Sequence, residues 1–297
     1  MQGWILTHLE RSPSTPLLLE ACHARGHRCE VIHPRDCLVE LCTGRVPRAA
    51  TSGIIPDFVI TKLGSTAPAY ALGVVRALEA AGVVCVNDSV SLERARDKIR
   101  VTQELAAVGT PMPASLAPNR DMRAAKALDL LGGAPVIVKL ARGTKGVGVM
   151  LCESRSALQS LMETLWGLGE EFLLQRAVTD SFGADIRVLV VGNRAVAAMR
   201  RSATNGDFRA NLAGGGVAMP LTPTPEQCRI AEAAAARLGL AVAGVDLLDS
   251  ASEGPLLIEV NSAPGLGGIT LATGRDLAGD IVEFVEGAVQ SSVATAA

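Results

Sequence analysis

Short apolar runs alternate with helical stretches stopped by glycine through the first ninety or so residues, and this alternation limits the fold more than any other feature. Gly3 to Leu9 reads as a strand, Thr15 to Ala24 as a helix that Gly26 ends, and Arg28 to Ile32 as the next strand. A strand at Asp57 to Lys62, a helix from Pro68 to Ala81 stopped by Gly82, and a strand at Val83 to Val86 continue the pattern. Strands separated by helices imply a parallel sheet with crossover connections, so the chain opens as an α/β unit.

The pattern changes near residue 90. Ser89 to Val108 reads as helical with a basic middle, carrying Arg94, Arg96, Lys98 and Arg100 among Leu92, Ile99 and Leu105. A Pro-broken strand (Ala114 to Leu116), a helix near Met122 to Leu131 and the apolar strand Pro135 to Leu140 follow. The glycine-rich stretch Gly143 to Gly148 then joins two strands, as a β-loop-β element. Beyond it Glu171 to Val178, Asp185 to Val191 and Ala195 to Arg201 read as strands, and Ser202 to Gly216 as a polar loop. An Ala-rich helix (Glu226 to Leu238), two strands (Ala241 to Leu248 and Leu256 to Asn261), a glycine-rich turn and a last helix from about Arg275 to Ala288 complete the chain. The expected division is three parts, 1–90, 91–176 and 177–297.

Composition narrows the partners. With 28 Lys and Arg against 30 Asp and Glu in 297 residues, no global field draws nucleic acid or an anionic membrane, so an anionic ligand must be held locally. No apolar run reaches spanning length, and the brief Trp4-Ile5-Leu6 stretch lacks the basic flank of a secretory signal. The seven cysteines, an odd number without a CxxC pair, read as small reduced core residues, as expected of a cytoplasmic protein.

Three groups of residues carry chemistry. Glu259 and Asn261 stand at i and i+2 and so share one face of a strand, and Asp246 lies in a second apolar run. Carboxylates set in such runs need a cation. Two carboxylates and an amide, with no His or Cys, suit Mg²⁺ on phosphates; salt bridges to nearby arginines, or exposure at strand ends, would also account for them. The loop Gly143-Thr144-Lys145-Gly146-Val147-Gly148 offers backbone N–H groups that can approach phosphate oxygens, although a hairpin turn would be equally glycine-rich. Lys139, at the end of its strand, and Lys98, in the basic helix, could approach phosphates as point charges.

In chain order, Arg94-Ala95-Arg96-Asp97-Lys98, the Lys139 strand, the glycine-rich loop, Gly206-Asp207-Phe208-Arg209-Ala210-Asn211, Ala243-Gly244-Val245-Asp246 and Glu259-Val260-Asn261-Ser262-Ala263-Pro264-Gly265 resemble the RimK-like ATP-grasp amino-acid and peptide ligases. The resemblance covers nearly the whole chain and implies an ATP-grasp fold preceded by a Rossmann-like pre-ATP-grasp domain. It implies further that Lys98 and Lys139 contact the phosphates of ATP under the loop of Gly143, Thr144 and Gly146. Gln175, Arg176, Ala177 and Val178 would form the hinge beside the adenine, and Asp185, Arg209, Ala210 and Asn211 would line the nucleotide site. Asp246, Glu259 and Asn261 would hold Mg²⁺, or Mn²⁺ in its place, with Arg201 and Arg209 as catalytic charges.

The implied reaction joins a substrate carboxylate to an amine through an acyl-phosphate, with an amino acid such as glutamate added to an amino-acid, peptide or protein acceptor. Relatives of this type also self-associate, so a homo-oligomer is expected. An ATP-grasp small-molecule kinase and an ATP-binding regulatory protein without turnover are the rival readings. Several positions depart from the family pattern. Arg176 and Ala177 replace the usual Glu-aromatic pair of the hinge, and Asn211 to Gly216 lacks an arginine that relatives carry. Lys62 stands where arginine is frequent, and Gly267 where an acidic residue is common. His8 and His33, near the ends of N-terminal strands, could meet the acceptor, whereas His23 and His27 receive no role because Gly26 ends the helix between them.

Overall fold

The computed structural model describes residues 1–9, 11–42, 48–50, 55–143, 148–204, 206–210 and 215–296, with backbone alone at 48–50 and 295–296. The chain opens with β1 (Gln2–Thr7), α1 (Ser14–Ala24), β2 (Arg28–Ile32), a small hairpin of β3 (Leu38–Glu40) and β4 (Arg48–Ala50), β5 (Phe58–Lys62), α2 (Ala69–Ala80) and β6 (Val84–Val86). The larger strands form a parallel sheet in the order β2-β1-β5-β6, as the alternation requires. Thr7 and Lys62 are register partners at the carboxyl ends of its two central strands.

The expected single helix over Ser89 to Val108 is two, α3 (Ser89–Ala95) and α4 (Lys98–Ala106). Asp97 makes the break: its backbone is extended and its carboxylate accepts from the N–H groups of Ile99 and Arg100, which caps α4 and puts Lys98 in its first turn. A mixed helix and sheet lobe follows, with β7 (Ser115–Leu116), α5 (Ala124–Leu131), β8 (Val136–Leu140), β9 (Val149–Cys152), α6 (Arg155–Gly167) and β10 (Phe172–Arg176). Its sheet runs β7-β10-β8-β9 and its helices cover one face through Ala127, Leu158 and Met162, which share a core with Phe172 of β10. The strand-weighted expectation for this region lacks α6, although Leu158, Met162 and Leu165 carry helical spacing and Ser154 caps its start.

The remaining residues build β11 (Ala184–Val191), β12 (Arg194–Ser202), β13 (Val217–Leu221), α7 (Pro225–Leu238), β14 (Val242–Ser250), β15 (Gly254–Asn261), α8 (Gly267–Thr273) and α9 (Leu277–Ala296). The five strands are antiparallel in the order β13-β12-β11-β14-β15. Period-two alternation splits β11 cleanly: Ile186, Val188 and Val190 pack against α7, while Leu189 and Val191 join a second core. That second core is shared with the first sheet, because Ile5, Leu18 and Phe58 meet Leu189, Met199, Leu277, Ile281 and Val285 in one cluster. The glycine-rich turn after Asn261 is therefore shorter than expected, and α8 and α9 fill the gap between the two sheets.

Asn87 ties the lobes together at the end of β6. Its buried amide donates to the carbonyls of Val242 and Ser262 at 2.8 Å each and accepts from the N–H of Val242. Four of the seven cysteines are buried, as the sequence suggests, while Cys42 is exposed. No helix among the described residues is long and apolar enough to cross a membrane.

Candidate active site

The face of the five-stranded sheet that carries Leu189 inward at one end carries charges at the other. On β11 Asp185 and Arg187 stand at i and i+2, on β12 Arg201 faces Asp185, and on β14 Asp246 faces Arg187 on one side and Glu259 of β15 on the other. A cross-strand row Arg187-Asp246-Glu259 results, with Asn261 two register pairs further along opposite Gly244. A side chain at Gly244 would collide with Pro264, so glycine there lets the turn after β15 close against the row.

Asp246 is 2% exposed and is held by Arg187 through two hydrogen bonds of 2.7 and 2.6 Å and by Arg201 at 3.0 Å. Arg201 in turn grips Asp185 at 2.6 and 2.7 Å. Burial opposes ionisation of Asp246, yet the two guanidinium groups outweigh it and hold the carboxyl below its usual range. Asp185 goes the other way: burial and the neighbouring Asp246 raise it, against the pull of Arg201. Salt bridging of Asp246, one of the three accounts that the sequence leaves open, is thus present. Arg187 is the partner that sequence reasoning missed; its signal was the i+2 spacing from Asp185 on an alternating strand.

Glu259 is the open donor. Its side chain is 33% exposed and its nearest cation is Lys98, at 3.5 Å. The amide nitrogen of Asn261 lies 3.4 Å from Asp246, and among the described residues its oxygen has no recorded partner. Lys98 also donates to the carbonyl of Gly143 at 2.8 Å, which Ser65 of the first lobe shares at 3.0 Å. Lys139 is buried and donates to the Ile258 carbonyl at 3.1 Å; burial pulls its pKa down to about 8, with Glu259 resisting.

These groups face a cavity of about 580 Å³ lined by residues of all three parts of the chain. Lys98, Lys139, Gln175, Arg176, Val178, Asp185, Arg201, Arg209, Ala210, Asp246, Glu259 and Asn261 are on its wall, so most of the expected site is brought together. Ala177 is buried beside it, and Gly143 is reached through Lys98. Thr144, Gly146 and Asn211 lie outside the described residues. Gln175 is fixed by a 3.0 Å bond to Ser115, Arg176 by Glu253 at 2.7 Å, and Arg209 by Asp207 at 2.8 Å. His8 lines the cavity, as do Arg11 and Lys62.

The donor set fits a magnesium ion. Oxygen donors alone converge here, and among the described residues no three His, Cys, Asp or Glu side chains form a closed metal cage. An ion would take two or three protein oxygens and draw the rest from phosphate and water, which is the habit of Mg²⁺.

The chain resembles known proteins along nearly its whole length. Residues 1–92 match the RimK PreATP-grasp domain and residues 95–285 the RimK-like ATP-grasp domain. The chain is 42% identical over 288 residues to a protein of Shewanella amazonensis named "Probable alpha-L-glutamate ligase 2", covering 96% of this chain and 95% of that one. Among solved structures, a RimK domain ATP-grasp protein from Sphaerobacter thermophilus aligns with TM-score 0.71 at 20% identity, over 96% of this chain and 99% of the other. The ATP-grasp ligase PsnB, complexed with a variant of its minimal precursor, Mg and ADP, aligns with TM-score 0.75 at 18% identity, over 96% and 98%. The chain belongs to the RimK-like ATP-grasp family, with a RimK-type pre-ATP-grasp domain at its N-terminus.

Proposed function

We propose that this protein is an ATP-dependent carboxylate-amine ligase that forms an amide bond by way of an acyl-phosphate, adding an amino acid such as glutamate to an amino-acid, peptide or protein acceptor. The observation that carries the reading is that the row Arg187-Asp246-Glu259 and the two lysines Lys98 and Lys139 line one cavity. Such a site is built for a polyanion and its metal. None of the side chains assigned to it is a Ser or Cys nucleophile, so positioning and charge are the catalytic devices.

Lys98 and Lys139 approach the phosphates, and Gln175, Arg176, Ala177 and Val178 form the wall beside the base. Glu259 and Asn261 would hold the metal ion together with Asp246, whose carboxylate Arg187 and Arg201 already fix. Bound Mg²⁺, or Mn²⁺ in its place, would neutralise charge on the terminal phosphates. Arg201, fixed by two carboxylates, presents a charge to the reacting acyl group, and Arg209, Ala210 and Asn211 close the site from the loop. A substrate carboxylate attacks the γ-phosphorus, ADP leaves, and the amine then displaces phosphate from the acyl carbon. Enclosure between the lobes keeps water from the intermediate.

The cytoplasm is the proposed compartment, supported by cysteines that are all free. Self-association, proposed from the family resemblance, is read by light scattering. The ligase reading is tested by following ADP and phosphate with Mg-ATP against a panel of amino acids and short peptides. It predicts an ATP-dependent product with the mass of two substrates less water. ADP with a phosphorylated substrate would make the protein a kinase, and nucleotide binding without turnover would make it a regulator.

A further inference from the structure

Apart from the exposed Arg11, the cations on the cavity wall are matched by carboxylates among the described residues, with one buried exception. Arg187 and Arg201 share Asp246 and Asp185, Lys98 lies against Glu259, Arg176 against Glu253 and Arg209 against Asp207. Lys139 has Glu259 and Asp246 near enough to support its charge. Lys62 has neither. It is 9% exposed, its ammonium donates to the carbonyl of Pro264 at 2.5 Å, and among the described residues no carboxylate lies within ion-pair distance. Burial, with Arg187 as a like charge beside it, drives its pKa down to about 7.

An isolated buried cation is expensive unless an anion joins it. A hydrophobic residue would pack as well at the end of β5 at no such cost, so the charge calls for a ligand. The position suits one. Lys62 ends a central strand of the parallel sheet, at the carboxyl edge where open α/β sheets bind their ligands, and it borders the cavity together with His8 and Arg11 of the segment after β1. Around the Arg187 pair the formal charges are three cations, Lys62, Arg187 and Arg201, against two carboxylates, Asp185 and Asp246. One negative charge completes the set.

We infer that Lys62 anchors a subsite for a carboxylate of the amino-acid substrate, so that a free carboxylate there is a condition of binding. This rests on the ligase reading and adds to it the chemical class of the group recognised at the N-terminal lobe.

The test is binding of L-glutamate, L-glutamine and glutamic acid α-amide to the full chain loaded with Mg-AMP-PNP, by calorimetry, in wild type, Lys62→Met and Lys62→Arg. Wild type should favour L-glutamate over one of the two amides by roughly 10- to 100-fold, the range of a charge-assisted hydrogen bond. Lys62→Met should bind all three alike and weakly while binding Mg-AMP-PNP normally, and Lys62→Arg should restore the preference. Wild-type preference in Lys62→Met, equal loss of every ligand including the nucleotide, or failure of wild type to bind L-glutamate would each overturn the inference. Failure of wild type to bind Mg-AMP-PNP would instead remove the ligase reading beneath it.

Discussion

Asp246 and Arg187 are direct register partners on β14 and β11, and two hydrogen bonds of 2.7 and 2.6 Å join them inside the cavity wall. Because Arg201 shares the same carboxylate at 3.0 Å, one acid holds two arginines in place. Asp246→Ala should therefore damage folding as well as function. It leaves Arg187 without its carboxylate and Arg201 with Asp185 alone, and breaking a buried pair from one side costs about 3–5 kcal/mol. Urea denaturation should show a loss of that order, with activity absent.

Glu259→Gln separates the two effects. The carboxylate is partly exposed and its nearest cation, Lys98, stands 3.5 Å away, so the fold has little stake in it. Its charge matters for the metal and for the phosphates. The melting temperature should stay within a degree or two of wild type, while ADP formation falls roughly 100-fold or more.

Lys139 gives a pH signature. With its pKa drawn down to about 8, its charge is present below that value and lost above it. Affinity for AMP-PNP should weaken as pH rises through about 8, and Lys139→Met should be weaker throughout and flat across this range. The sign for stability is opposite. The unfolded lysine keeps its proton up to its ordinary value near 10.5, so between about 8 and 10.5 the unfolded state binds more protons, and this group's contribution to stability rises with pH.

Gly244→Ala probes the close approach behind the row. The added methyl would sit 2.8 Å from the Pro264 side chain and 3.6 Å from Arg187, against the turn whose Pro264 carbonyl accepts from the Lys62 ammonium. A loss of about 1–3 kcal/mol is expected from overpacking. Calorimetric unfolding checks the loss, and a parallel drop in L-glutamate affinity would locate the strain at the turn.

The sequence made some of this plain and hid the rest for identifiable reasons. The parallel sheet followed from glycine-stopped helices between apolar strands, and Asp246, Glu259 and Asn261 announced themselves as polar residues in apolar runs. Helix α6 was legible in Leu158, Met162 and Leu165 but stood among stronger strand signals. The division of Ser89 to Val108 turned on one capping side chain, Asp97, whose role shows only when its oxygens meet two N–H groups. The clamp on Asp246 depends on which strands lie beside β14, a long-range pairing that local periodicity does not encode. The isolation of Lys62 is likewise a property of three dimensions, since a list of residues does not say which charges lack partners.

The acyl-phosphate is the central claim, and oxygen transfer tests it most directly. L-Glutamate and an acceptor taken from the panel, each in turn with every carboxylate oxygen replaced by ¹⁸O, would be incubated with the protein and Mg-ATP, and the released phosphate read by mass. Attack of a carboxylate on the γ-phosphorus, then displacement by the amine, predicts one ¹⁸O in each phosphate formed with the amide when the labelled partner is the one whose carboxylate is activated. Unlabelled phosphate accompanying the amide, from either labelled partner, would contradict the account.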